Sequence, residues 1–377
     1  MKLELTPEQR AARAEFRAFV EAEIAPHADR WDKEEAIPLE LVGKLRERGY
    51  LGSNVGKEYG GLGRDMITYG LLTEEIARAD SSVRSLLTVH DMVAHAIHRW
   101  GSRVLRERYL PEMARGGILG ALALSEPNAG SDAKSVETEA TTDGDSFVLS
   151  GRKKWTTFGQ IAGLFLAFAQ CEGSPTAFLV ERETPGVTVR PLQGIVGTRA
   201  SMLAEIFFED VRIPKENLVG RIGFGISHVG SAALEQGRYS VAWGSVGIVQ
   251  ACLDASRKYA AERTQFGVPL AQHQLISAML ADMIANAQAA RLLCLRAGHL
   301  RDAGDPGASA ETMLAKYFAS TAATRAANDA VQIHGANGLS EDYPVARYLR
   351  DSRVMEIIEG STQIQQISLP RFDFQEL

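Results

Sequence analysis

What most constrains this chain is the helical periodicity that follows residue 226. Three stretches are separated only by short breaks: "VGSAALEQGRYSVAWGSVGIVQACLDASRKYAAERTQF" (229–266), "QHQLISAMLADMIANAQAARLLCLRAGHLRDAG" (272–304) and "ASAETMLAKYFASTAATRAANDAVQIHGANG" (308–338). Long helices joined by short loops predict an antiparallel bundle. A last helix is expected from about Ser361, so a C-terminal four-helix bundle is placed over 226–377.

The segment before it, 119–225, has the opposite texture. "VETEATTDGDSFVLSGRKKWTT" alternates on either side of Asp143 and Gly144, a hairpin signal. "LFLAFAQC", "TAFLVE", "VTVRPL" and "AEIFFEDVRIP" read as short strands between Gly, Pro and Ser turns, predicting a small β-barrel or β-sandwich. Residues 1–118 return to helices. Thr6 and Gln9 have capping-box spacing, with Pro7 suited to the first turn. Phe16, Phe19, Val20 and Ile24 share one stripe. "IPLELVGKLRERGYLG", "MITYGLLTEEIARAD", "SSVRSLLTVHDMVAHAIHRWG" and "SRVLRERYLPEMARGG" continue the pattern. The fold class is therefore α+β in the order helical, β, helical.

Composition removes several function classes. The 377 residues are 45% apolar and 23% charged, the balance of a globular protein with two or three domains. A net charge of −6 argues against a general nucleic-acid binder, which needs a basic surface. Cys171, Cys252 and Cys294 lie far apart without a CxxC pair, so neither a disulfide framework nor a metal site is expected. The N-terminus is charged from its second residue, and no apolar run approaches membrane-spanning length. Cytoplasmic residence is the plain expectation.

Five motifs carry chemistry. "LSEPNAGSD" (124–132) is a turn with hydroxyls at Ser125 and Ser131. "GRKKWTTFG" (151–159) places Trp155 and Thr157 two apart on a predicted strand, hence on one face, while Arg152 to Lys154 read as solvated charges. "RTQFGVPLAQHQLI" (263–276) offers the Arg263 guanidinium, suited to a diphosphate. "QIHGANG" (332–338) ends a predicted helix. "IIEGSTQIQ" (357–365) sets Glu359 between Ile358 and Gly360 just before a helix start. Met355, Ile357 and Ile358 are expected to restrict its hydration and raise its pKa, against the pull of the helix N-terminus. Ser361 or Thr362 is expected to cap that helix, with Thr362 and Gln365 spaced as a capping box. Glu235 and Arg238 share a helix face, the spacing of an ordinary ion pair.

Taken in order, these motifs resemble the acyl-CoA dehydrogenase family of flavoenzymes over nearly the whole chain. The resemblance implies FAD. Leu124, Ser125, Trp155 and Thr157 would lie along the flavin ring and Ser131 would bind the diphosphate. Arg263, Phe266, Gln274, Gln332 and Gly335 would hold the flavin of a neighbouring subunit, and Ser361 joins the cofactor set. It thus implies a homodimer or homotetramer. Family members often have a second glycine where this chain has Ala336. Glu235 and Arg238 would lie near the pantetheine arm of the substrate, although the family usually has Asp at the first position. Some members carry their base directly before that arginine, where this chain has Gly237. The resemblance makes Glu359 the base that takes the α proton while a β hydride passes to flavin. Amides of Glu359 or Gly360 and the flavin ribose would bond the thioester carbonyl.

The acyl pocket is expected at "VRSLLTVHDM" (83–92), where Arg84 and Thr88 share a face. Arg84 and Ser85 resemble glutaryl-CoA dehydrogenases; "GRYSVAWGSVGI" with "MEIIEGS" looks closer to dehydrogenases of polyketide extender-unit pathways, which act on acyl carrier protein. Both comparisons imply a short acyl chain with a polar end, and His90, Asp91, His95 and His98 could polarise the pocket. The electron acceptor would be an electron-transfer flavoprotein or oxygen. Flavin monooxygenation on the same fold, and a non-catalytic thioester-binding scaffold, are the competing readings.

Overall fold

The computed structural model describes residues 4–373. Helix α1 (Pro7–Glu23) begins on the expected capping box: Thr6 Oγ1 accepts from Gln9 N at 3.2 Å and Gln9 Oε1 from Thr6 N at 3.0 Å. Phe16, Phe19, Val20 and Ile24 are all buried. Then come α2 (Ala28–Glu34), α3 (Leu39–Glu47), α4 (Met66–Ala79), α5 (Ser81–Trp100) and α6 (Arg103–Ala114). The periodicity missed α2, which is only seven residues long. Asp65 and Asp80 cap α4 and α5, accepting from Thr68 N (2.8 Å) and Val83 N (2.9 Å).

The central domain holds β1 (Gly120–Ala123), β2 (Glu139–Asp143), β3 (Ser146–Thr156), β4 (Leu164–Cys171), β5 (Ser174–Glu181), β6 (Val187–Pro191), β7 (Ala204–Pro214) and β8 (Leu218–Val219). The strand order is β6-β7-β3-β2-β4-β5-β8, with β1 parallel to β4. The expected hairpin closes with Asp143 opposite Ser146 and Gly144 at φ 57°, which a glycine adopts without strain. Phe147, Leu149, Phe165, Phe178, Ile206 and Val211 form the core of this domain. One sequence inference fails here. The β3–β7 register shifts between Lys153 and Thr156, Trp155 takes φ 67°, and the strand ends at Thr156. Trp155 and Thr157 therefore do not share a strand face; a bulge and a turn set their directions.

A π-helical turn (Gly225–Gly230) leads into α7 (Ser231–Glu262), followed by α8 (Gln274–Asp302), α9 (Ala308–His334), α10 (Val345–Met355) and α11 (Thr362–Asp373). Sequence reading gave no helix at α10. Nor is the bundle self-contained: α7 packs on α4 and α5 as well as on α8 and α9. Tyr239 and Trp243 of α7 share a core with Tyr69 and Leu86, and the Tyr239 hydroxyl donates to Met66 O at 2.8 Å. Among the described residues α8 is long and apolar enough to cross a membrane, contrary to the expectation from sequence, but it is a bundle helix packed on α7 and α9.

Candidate active site

Glu359 sits in the turn between α10 and α11. Its φ is 56° and that of Gly360 is 87°. A glutamate in the left-handed region is uncommon and persists only where the surroundings enforce it. Here four hydrogen bonds grip the two carbonyls. Arg238 Nε donates to Glu359 O (3.1 Å), Gln365 Nε2 to Glu359 O (3.3 Å) and Gly360 O (3.1 Å), and Lys316 Nζ to Gly360 O (2.8 Å). Gln365 is thus not half of a capping box with Thr362. Ser361 caps α11 instead, its hydroxyl accepting from Ile364 N at 3.4 Å.

The Glu359 carboxylate points inward, and its Oε2 is buried without a hydrogen-bond partner. It lies against Gly237, where an added Cβ would come within 2.6 Å of Oε2 and 2.8 Å of Met92 Sδ. Burial pushes its pKa up to about 7, while Arg238, Lys316 and Arg84 pull it down. That matches a proton acceptor to neutral pH. The dehydrating wall differs from the sequence expectation. Met355 is buried but Ile357 is exposed, so Met92 and the bare Gly237 do much of the work. Among the described residues, the Glu359 and Gly360 amides have no backbone acceptor, leaving two donors side by side.

Arg84 and Thr88 lie on α5 and are both buried. Arg84 donates to Thr88 Oγ1 (3.0 Å) and to Met355 Sδ (3.1 Å), its Nε has no partner, and Gly244 leaves room for it on α7. Thr88 Oγ1 is 2.6 Å from Ser240 Oγ. Among the described residues Arg84 makes no ion pair, although the Glu359 charge acts on it. Burial lowers its pKa to about 10. Glu235 and Arg238 do not pair. Glu235 is bound to Arg301 of α8 at 2.9 Å, and Arg238 faces the Glu359 turn. His90 Nδ1 accepts from Gly120 N at 3.2 Å, so Nε2 carries the proton and donates to Met113 O at 3.1 Å. Asp91, His95 and His98 line a cavity of about 270 Å³ whose walls include neither Glu359 nor Arg84.

On the β side, Lys153 and Glu126 organise the loop. Lys153 is fully buried, bonded to Glu126 Oε1 (2.5 Å) and Leu124 O (3.4 Å). Sequence reading treated this lysine as solvated. Strand alternation with Phe147 and Leu149 carried the contrary signal. Lys154 N donates to Ser125 O at 2.8 Å, bringing Leu124 and Ser125 beside Trp155 and Thr157. The turn after β3 is tied onward: Phe158 N donates to Ser201 O (2.8 Å), and Thr198 N to Asp351 Oδ1 of α10 (2.6 Å). This chain of bonds reaches the helix that ends just before Glu359. Trp155 is 50% exposed, the Thr156 hydroxyl is buried without a partner, and Ser131 is open at the surface. An unshielded indole with hydroxyls at its edge fits a flat heteroaromatic ring with a diphosphate arm, as FAD requires.

Arg263, Phe266, Gln274, Gln332 and Gly335 lie elsewhere. They cluster where α7 and α9 end and α8 begins, with Tyr259 stacked on His334 at 4.2 Å. All five are exposed, Phe266 by 95%. The 32 residues of α7 span about 48 Å. Gly237 and Arg238 lie near its start and Arg263 caps its end.

Comparison with known proteins identifies the family. The chain matches the acyl-CoA dehydrogenase N-terminal domain over residues 6–117, the middle domain over 121–211 and the C-terminal domain over 223–371. It is 39% identical to an acyl-CoA dehydrogenase of Bacillus subtilis over 376 residues, covering 98% of this chain and 99% of that one. A glutaryl-coenzyme A dehydrogenase solved with glutaryl-CoA superposes with a TM-score of 0.95 at 35% identity, covering 100% and 97% of the two chains. FkbI, an enzyme for biosynthesis of a methoxymalonyl extender unit, superposes with a TM-score of 0.88 at 33% identity, covering 97% and 99%. The chain belongs to the acyl-CoA dehydrogenase family, FAD-dependent oxidoreductases that act on a CH–CH bond of an acyl thioester.

Proposed function

We propose that this protein dehydrogenates a short acyl thioester with an anionic or hydroxylated far end, using Glu359 as the base. Arg84 carries the reading. It is a fully buried guanidinium with no carboxylate partner among the described residues and one unpartnered nitrogen. Such a charge is costly unless an acceptor reaches it. A substrate carboxylate or hydroxyl would supply that acceptor, with the Thr88–Ser240 hydroxyl pair beside it.

Glu359 would take the α proton, and the amides of Glu359 and Gly360 would bond the thioester carbonyl as enolate charge develops. Arg238 keeps the base turn in place. Leu124, Ser125, Ser131, Trp155 and Thr157 would hold the flavin of their own copy. Arg263, Phe266, Gln274, Gln332 and Gly335 would hold that of a second copy, because they sit at the far end of α7. Bound FAD supplies the acceptor for the β hydride. Likeness to FkbI supports an extender-unit acyl group, and likeness to the glutaryl-CoA enzyme supports a dicarboxylic acyl-CoA. Family practice supports an electron-transfer flavoprotein as the acceptor.

Anaerobic bleaching of the flavin by a panel of thioesters tests this. Glutaryl and hydroxyacyl forms, on CoA and on carrier protein, should outpace butyryl. Arg84→Leu should erase that preference, roughly 10²-fold, as expected for losing a charged hydrogen bond. Fastest bleaching by long plain chains would sink the proposal.

A further inference from the structure

Of the buried charged groups that the mechanism above leaves unused, one touches the base turn. Lys316 is fully buried in α9, and its side chain ends on Gly360 O at 2.8 Å. We propose that Lys316 is a positioning residue for the base: it locks the Glu359–Gly360 turn, and its charge holds the carboxylate ready to ionise. This rests on Glu359 being the base.

Two observations support it. The first is geometric. Glu359 and Gly360 both hold left-handed backbone, and Glu359 does so with a side chain. The grip on the Glu359 carbonyl comes from Arg238 and Gln365. Gly360 O is held by Gln365 and Lys316, and Lys316 makes the shorter of these contacts. Lys316 is the one donor of the three that comes from α9, so it ties the turn to a third helix besides α7 and α11. Without it the αL turn keeps its bonds to α7 and α11 but is free to pivot. A shift near 1 Å at a reacting group costs on the order of 10²-fold in rate.

The second is electrostatic. The charged groups that act on Lys316 are Glu359 and Glu356 from the α10–α11 turn and Arg238 from α7. Arg84 from α5 completes the set acting on Glu359. Burial lowers the Lys316 pKa to about 8, so at neutral pH the ammonium form predominates. That cation opposes the rise that burial imposes on Glu359. Removing it must raise the pKa of the base and move the ascending limb of the rate–pH profile to higher pH.

The test is the flavin-bleaching rate against pH for the flavin-loaded enzyme with a saturating thioester. Lys316→Met should lower the plateau by about 10-fold or more and move the ascending limb up by about half a pH unit or more, with KM nearly unchanged. Lys316→Arg should leave the limb in place. Gln365→Leu, which removes a donor without removing charge, should lower the plateau without moving the limb. If Lys316→Met does not load flavin, Lys316→Gln carries the same prediction for the limb. An unmoved limb in the charge-removing variant overturns the proposal. Glu359→Gln is run alongside. Normal turnover in it would defeat the reading of Glu359 itself. Lost turnover there with an unmoved limb in the Lys316 variant would defeat only this inference.

Discussion

The two ends of α7 behave differently. At its start, Gly237 and Arg238 meet Glu359, Lys316 and Arg84 in a largely buried cluster of one chain, held by hydrogen bonds and opposed charges. At its end, Arg263, Phe266, Gln274, Gln332 and Gly335 stand exposed, with Leu275 and Leu339 open beside them at 78% and 76%. Large apolar side chains left in solvent beside a guanidinium are what the proposed contact with a second copy would cover. On the proposed reading, the difference assigns proton chemistry to residues of one chain and cofactor retention to contacts between copies.

The sharpest way to break this contrast is at Gly237. A methyl group there would meet Glu359 Oε2 at 2.6 Å and must displace the carboxylate. Gly237→Ala should cost roughly 10²-fold in kcat while flavin content and oligomer size stay normal. Retained activity would show that the carboxylate does not work where it is placed. At the other end the signature should reverse. Arg263→Ala with Phe266→Ala should weaken flavin retention about 10-fold or more and shift the oligomer toward smaller species, because these side chains contribute nothing to their own chain's base. Gel filtration with flavin absorbance reads both, and a fully loaded, unchanged oligomer would erase the proposed division between the two ends.

Much of this was legible in the sequence, and the exceptions have physical causes. The long helices and the strands of the β domain follow from periodicity, since one face of each is buried. Glu359 stood out because its neighbours are apolar. Short α2 and α10 escaped because their stability comes from contacts distant in sequence. Arg347 Nε bonds Asp29 at 2.8 Å, and Arg350 binds Asp32, so α10 and α2 staple each other. Lys153 was misread because its partner Glu126 is remote in sequence and its burial depends on strand parity. The bulge at Trp155 redirected a pair that simple alternation had joined. Gly237 was noticed as a missing base. Its contact with the carboxylate needed coordinates, since residues 237 and 359 are neighbours only after α7 meets the α10–α11 turn.

The central claim is that burial makes Glu359 a base tuned to neutral pH. The most direct measurement is the rate of anaerobic flavin bleaching from pH 5 to 9, compared with Glu359→Gln. The carboxylate accepts a proton only when ionised, so the rate should climb with pH through about 7, the value to which burial pushes this group. Glu359→Gln should be slower by about 10²–10⁴-fold and should lose that climb. A profile already flat above pH 5, or a Gln variant that keeps both its rate and its climb, would contradict the account.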